Sequence, residues 1–343
     1  MAYISFQPRD YFKTLLYTGT GASNAQTFPE TTAMQPDLVW IKNRDTTDFH
    51  NWYDAIRGST KYLKIDGSAE VTNAESLKSF DSDGFTVGTM AECNTNTEDY
   101  VSWNWQANGA GSANEDGITA STVSVDTARG FSIVKWTGTG STTTVGHGLG
   151  AIPDMFICKC TTTTDTWGTY AKSIGNTAAI WISSNGAPYA HAAYFNNTSP
   201  TADVFTVNSD GSTNASSTMM AYCFTSIKGY SKFGSYVGTG SASNGPFIYT
   251  GFRPAWLMIK KTSGTGDWVI FDSERSPSNV TKKTLLADTT AIEGNVSDID
   301  MLSNGFKLQY TDSDTNTNDG DYLFMAFAEF PLVSSNDVPT VAR

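Results

Sequence analysis

The feature that most constrains this chain is a pattern that recurs three times along its 343 residues. A chain of repeats folds as repeated units, each burying a face against its neighbours. Every copy opens on an aromatic residue with glycines two and four positions on: Tyr17, Gly19 and Gly21; Trp136, Gly138 and Gly140; Tyr236, Gly238 and Gly240. Fifteen to seventeen residues after the first glycine comes a proline-led apolar run ending in lysine: PDLVWIK at 36–42, PDMFICK at 153–159 and PAWLMIK at 254–260. A tryptophan follows eight to ten residues later, at Trp52, Trp167 and Trp268. The copies close on aromatic runs, YVSWNW at 100–105, MMAYCF at 219–224 and YLFMAF at 322–327.

The closing runs alternate with period two, as strands do. Val101, Trp103 and Trp105 share one face, as do Met220, Tyr222 and Phe224, and then Leu323, Met325 and Phe327. The proline-led runs are apolar at consecutive positions, which a strand tolerates where both its faces are covered. Units of this length with frequent turn signals predict an all-β chain of three tandem antiparallel β-sandwich, jelly-roll-like units. Their expected core is Trp40, Trp52, Trp103, Trp105, Phe156, Trp167, Tyr222, Phe224, Trp256, Trp268, Met325 and Phe327. The expected layout is an N-terminal arm (1–11), unit one (12–107), a Gly/Ser/Asn-rich linker (108–130), unit two (131–228), unit three (229–330) and a C-terminal tail (331–343). The turn formers at 108–117 predict a mobile boundary, with units two and three paired and unit one standing apart. Asn73 to Ser79 is read as one short helical turn.

Composition narrows the function classes. Only 16% of residues are charged, which disfavours long amphipathic helices with charged outer faces. A net charge of -12 excludes the clustered basic footprint that nucleic acid or an anionic membrane requires. There is no signal-peptide h-region at the N-terminus and no run of about 18 apolar residues. Cys93, Cys158, Cys160 and Cys223 form no CxxC pair and read as free, partly buried thiols.

Candidate sites were weighed against structural roles. The three histidines, His50, His147 and His191, accompany no nucleophile-elbow pattern, and the many acidic residues show no spacing selective for glycoside hydrolysis. The oxygen-rich run from Thr311 to Asp321 alternates as a Ca²⁺ loop does, yet it has Thr317 where an EF-hand needs glycine and Leu323 where it needs glutamate. It reads as a solvated acidic hairpin loop. Asp54-x-x-Arg57 recurs as Asp272-x-x-Arg275, while unit two has Ala171 and Ile174 there; structural pairing is the favoured reading. The Gly-Thr-Gly runs lack the GK[ST] of a phosphate loop and read as tight strand-end turns. Tyr189 and Tyr194 stand at loop positions where aromatic rings could stack on sugars. No catalytic residue, metal site or cofactor is assigned.

Several segments together resemble the virion proteins of tailed bacteriophages of aquatic bacteria: MAYISFQPRDYF at 1–12, the first Gly-Thr-Gly, SFDSDGF at 79–85, YVSWNW at 100–105 and FAEFPLVSSNDVP at 327–339. The resemblance spans nearly the whole chain. It implies a tail, tail-fibre or other structural part of a virion and transfers no catalytic residue. The leading expectation is a non-enzymatic tail-fibre component, made in the host cytoplasm and carried on the virion. It would contact other virion proteins and a bacterial surface glycan or protein, with a homotrimer as the first oligomer considered. The alternatives are a capsid decoration or head-fibre protein and, third, a host-polysaccharide depolymerase.

Overall fold

The structure, a computed structural model, describes residues 6–331. Residues 1–5 of the expected arm and 332–343 of the expected tail lie outside the described residues. Alternation in the closing runs decides how the sheets stack. These runs form the strands Asp99–Trp105, Thr218–Phe224 and Asp321–Pro331. On one side each pairs antiparallel with the strand that opens its unit, Phe12–Thr18, Phe131–Thr137 or Ser231–Val237. On the other side each pairs with the proline-led strand, Leu38–Asn43, Met155–Cys160 or Phe252–Lys261. A tryptophan strand (Asn51–Asp54, Gly168–Ala171, Trp268–Asp272) and a fourth strand (Lys61–Lys64, Ala178–Trp181, Leu285–Leu286) continue each sheet in that order. The chain is thus nearly all β, and one inner-sheet order recurs three times.

A smaller outer sheet covers each inner one. It is built from Asn24–Thr27, Gly84–Val87 and Leu77–Asp81 in the first unit, Thr143–Gly146 and Val204–Val207 in the second, and Phe247–Tyr249, Gly305–Leu308 and Ile299–Leu302 in the third. Between inner and outer sheets lie three separate cores. The second unit has no glycine ahead of Phe205 and no third outer strand; a short helix, Ala192–Phe195, packs there instead.

The opposite faces of all three inner sheets meet in one further core. Val101, Trp103 and Trp105 meet Met220, Tyr222 and Phe224, and both sets meet Leu323, Met325 and Phe327. Trp256 sits near the middle, with ring centroids 6.2 Å from Trp40, 6.2 Å from Trp103, 5.9 Å from Trp105 and 6.0 Å from Phe327. Edge-to-face geometry dominates, as aromatic quadrupoles prefer. Of the twelve expected core residues, all but Phe156 belong to this shared core. Phe156 is buried on the other face of its strand, stacked 4.8 Å from Tyr170 and 4.7 Å from Phe205, while Met155 and Ile157 face the centre.

Three expectations change. Unit one does not stand apart, because its inner face is a third of the shared core. The 108–130 stretch is not a mobile linker: it holds the strands Ser112–Asn114 and Ser121–Asp126, which extend the second inner sheet beyond Phe131–Thr137. Val123 is buried and Val125 packs on the second unit's core, so the alternation after the turn formers outweighs the glycines before it. Asn73–Ser79 is a turn leading into the strand Leu77–Asp81, not a helix.

A buried tryptophan removes about 150–250 Å² from water, roughly 4–6 kcal/mol at ~25 cal/mol per Å² before ordering costs. Because the shared core exists only when all three units are folded, chemical denaturation followed by tryptophan fluorescence is expected to show one cooperative transition. Trp256→Ala should lower unfolding free energy by about 3–5 kcal/mol in that same transition, without separating a unit that melts alone.

Candidate functional site

The motif lysines are the most informative polar residues. Lys42, Lys159 and Lys260 end the proline-led runs, and all three are fully buried. Each ammonium donates to three backbone carbonyls, two of its own hairpin loop and one of a neighbouring unit. Lys42 reaches Asn43 and Thr46 at 2.6 and 3.1 Å and Thr290 of the third unit at 3.4 Å. Lys159 reaches Thr163 and Asp165 at 3.4 and 2.9 Å and Gly67 of the first unit at 2.9 Å. Lys260 reaches Lys261 and Gly266 at 3.1 and 2.7 Å and Asn185 of the second unit at 3.1 Å. The donation runs in one rotational sense: third to second, second to first, first to third. Burial pushes each lysine down to about 8.

A second ring of bonds repeats that sense. Trp167 Nε1 donates to the Lys64 carbonyl at 3.0 Å and Trp268 Nε1 to the Trp181 carbonyl at 2.8 Å. At the first-to-third boundary Trp52 Nε1 has no partner, and His50 takes over. Its Nδ1 accepts from Trp40 Nε1 at 2.8 Å, which leaves Nε2 to donate to the Leu286 carbonyl at 3.1 Å. Lys64, Trp181 and Leu286 occupy matching fourth strands. Burial holds His50 well below its ordinary pKa, so it stays neutral.

The Asp-x-x-Arg pairs form a third ring, incomplete at one place. Asp54 accepts from Arg57 Nε at 2.5 Å and from Tyr222 of the second unit at 2.8 Å. Asp272 accepts from Arg275 Nε at 2.5 Å and from Trp103 Nε1 of the first unit at 3.1 Å. The arginines also hold the Trp52 and Ile270 carbonyls at 2.8 and 3.0 Å. Trp103, Tyr222 and Met325 share one register position in their closing strands. The boundary where the acceptor is replaced by Ala171 is therefore the one where the donor is replaced by Met325. Aspartate and its donor are lost together, so neither is left there without the other.

That boundary carries a cleft of about 630 Å³ between the second and third units. Apolar side chains (Ile152, Met155, Phe233, Leu323) and polar ones (Asp154, Lys172, Ser226, Lys232) line it together. Asp154 is engaged, by Lys172 at 3.1 Å and the Ser226 amide at 2.8 Å. The matching position between the third and first units is closed to about 10 Å³ by Arg9, Lys13, Glu30 and Glu274. Between the first and second units the matching aspartate, Asp37, is covered by the amides of Ala107 and Gly109.

The other sequence candidates have structural duties. His147 Nδ1 accepts from the Leu149 amide, and His191 caps the helix at Ala192 by accepting from the Ala193 amide. In the oxygen-rich loop, Asn316 is fully buried and clamps the third Gly-Thr-Gly turn, accepting from Thr239 N at 2.9 Å and donating to Ser241 O at 3.1 Å. Asn94 and Asn214 do the same for the first two turns. A Cβ on Gly19, Gly138 or Gly238 would run into the carbonyl oxygen of Thr95, Ala215 or Thr317, which explains the signature. These asparagines escaped the sequence reading, although each stands four or five residues before its closing strand. Among the described residues no three His, Cys, Asp or Glu side chains converge as a metal-ligand set. All four cysteines are buried free thiols. Tyr194 is buried, whereas Tyr189 is exposed and stacks on His191.

Residues 7–331 match one family, described as Domain of unknown function (DUF7483). The chain belongs to the DUF7483 family. No curated protein matches it. The DUF7483 match spans all three units.

Two measurements test the ring. Lys159→Met orphans three carbonyls, each costing about 1–3 kcal/mol when buried without a donor, and should lower the melting temperature clearly. A lysine held near 8 when folded, against about 10.4 unfolded, binds fewer protons folded than unfolded across that window. Its contribution to stability therefore rises with pH. The stability advantage of the native chain over Lys159→Met should grow between pH 8 and 10. For the third ring, a double-mutant cycle of Tyr222→Phe and Asp54→Asn should show coupling of about 1–3 kcal/mol.

Proposed function

We propose that this chain is a non-enzymatic structural component of a tailed-phage virion, with a tail fibre contacting the host surface as the first placement. The observation that carries the reading is the use to which reactive side chains are put. The buried lysines, two Asp-Arg pairs and His50 all bind one unit to the next. Side chains spent on carbonyls and buried ion pairs are unavailable to a substrate. Thr20, Thr139 and Thr239 of the Gly-Thr-Gly turns face outward, which suits a displayed particle protein. The resemblance of the terminal and closing segments to aquatic-phage virion proteins points the same way.

The arrangement also bears on assembly. Three like sheets packed around one core give a single chain the approximate symmetry of a homotrimer, so it can seat on a threefold mount alone. Immunogold labelling of intact particles with antibody to this chain is expected to mark the tail. Label on the head would replace the tail-fibre reading with capsid decoration. Release of reducing ends from host polysaccharide by the purified chain would overturn the non-enzymatic reading.

A further inference from the structure

Of the three opening strands, only the second has a strand along its outer edge; the first and third are the outermost strands of their sheets. In the second unit, Gly138 N bonds to Ser217 O and Thr225 N to Gly130 O, so the even-numbered residues of Phe131–Thr137 face the closing strand. The odd-numbered ones face outward, and there Ser121–Asp126 completes an antiparallel ladder, with Ile133 opposite Ser124 and Lys135 opposite Thr122. In the third unit the same argument applies. Gly238 N bonds to Gly320 O and Ala328 N to Tyr230 O, so Phe233, Ser235 and Val237 point their backbone groups away from the sheet. Ser226 Oγ accepts from the Phe233 amide at 3.1 Å. Beyond it the edge is bare: Ser235 is exposed and so is Val237.

The reason is the connection. Between the first and second units the chain spends the 108–130 stretch on the covering strand, whereas the second and third are joined by a short turn through Lys228 and Gly229. The same strand reaches the 630 Å³ cleft at Lys232, Phe233 and Gly234, next to the bare residues. Lys232 stands exposed at its mouth, and Lys172 also lines it.

We propose that the opening strand of the third unit, Ser231–Val237, is a docking edge for an extended segment of a partner protein. The segment adds antiparallel, as Ser121–Asp126 does in the second unit, and carries an acidic side chain opposite Lys232. The internal strand is the template for the occupant. It shows that this edge geometry accepts a strand of small and β-branched residues, and its register places position 125 opposite the equivalent of Lys232, Ser132. Main-chain bonds at Ser235 and Val237 supply affinity, and the cleft accepts side chains.

The probe is the nonapeptide of residues 119–127, with its Val125→Asp and Val125→Lys forms, titrated into the full-length chain by NMR. Saturable shifts at Ser235 and Val237 are expected. The Asp peptide should bind about threefold or more tightly than the Lys peptide, and Lys232→Glu should reverse that order. Ser235→Pro removes an outward-facing donor, which an edge strand tolerates. It should leave the melting temperature nearly unchanged while weakening binding about tenfold. No saturable binding at millimolar peptide, or binding indifferent to both Ser235→Pro and the charge exchange, overturns the proposal. Self-association of the chain abolished by Ser235→Pro overturns the assignment to a different protein, making the occupant a second copy.

Discussion

A buried ammonium keeps its charge only where oxygen atoms replace the water it has lost. Lys42, Lys159 and Lys260 meet that need with backbone carbonyls, and in each case one of the three comes from another unit. The inner ends of the hairpin loops cannot be satisfied within a unit. Lysine is the residue suited to this place, since its ammonium directs three donors from a point at the end of a flexible stem. The aromatic core provides the larger share of the stabilisation, but it is non-directional. The lysines fix which loop meets which, and so set the rotational order in which the sheets pack.

The second and third rings add to that order and show how it is relaxed. Where tryptophan fails to reach a carbonyl, His50 reaches it. Where the Asp-Arg pair is absent, the donor across the boundary is a methionine. The first replacement keeps the inter-unit bond while leaving Trp52 Nε1 without a partner, and the second removes donor and acceptor together. The two departures from threefold order fall at different boundaries, His50 between the first and third units and Met325 with Ala171 between the second and third, where the cleft stands open.

Much of this was legible in the sequence, for identifiable reasons. Strict alternation in the closing runs marks which side chains share a face, and Trp103, Tyr222 and Met325 do lie together in the shared core. Apolar positions on both faces of the proline-led runs announced strands covered twice, and Val39 and Trp40 do enter different cores. What alternation cannot say is whether the second cover comes from the same unit or another. Reading it as local produced three beads with a mobile joint, when the inner faces are one interior. The Asp-x-x-Arg spacing showed a paired carboxylate, but Tyr222 and Trp103, its partners, lie more than 150 residues from Asp54 and Asp272. Phe156 is a core residue as expected, and pleating places it in the second unit's own core rather than the shared one.

The one-way donation of the lysines has a consequence for the number of units. In an open stack of repeats, units can be gained or lost at the ends, because each meets only its neighbours in sequence. Here the first unit donates to the third through Lys42 and Thr290, and Arg9 joins Glu329 across the same boundary at 3.0 Å. The series is closed on itself. Adding or removing a unit at either end would break the closing contacts between the first and third units. Change at one end of the chain is therefore felt at the other, whereas a single boundary can differ without opening the ring, as the one between the second and third units does with Ala171 and Met325.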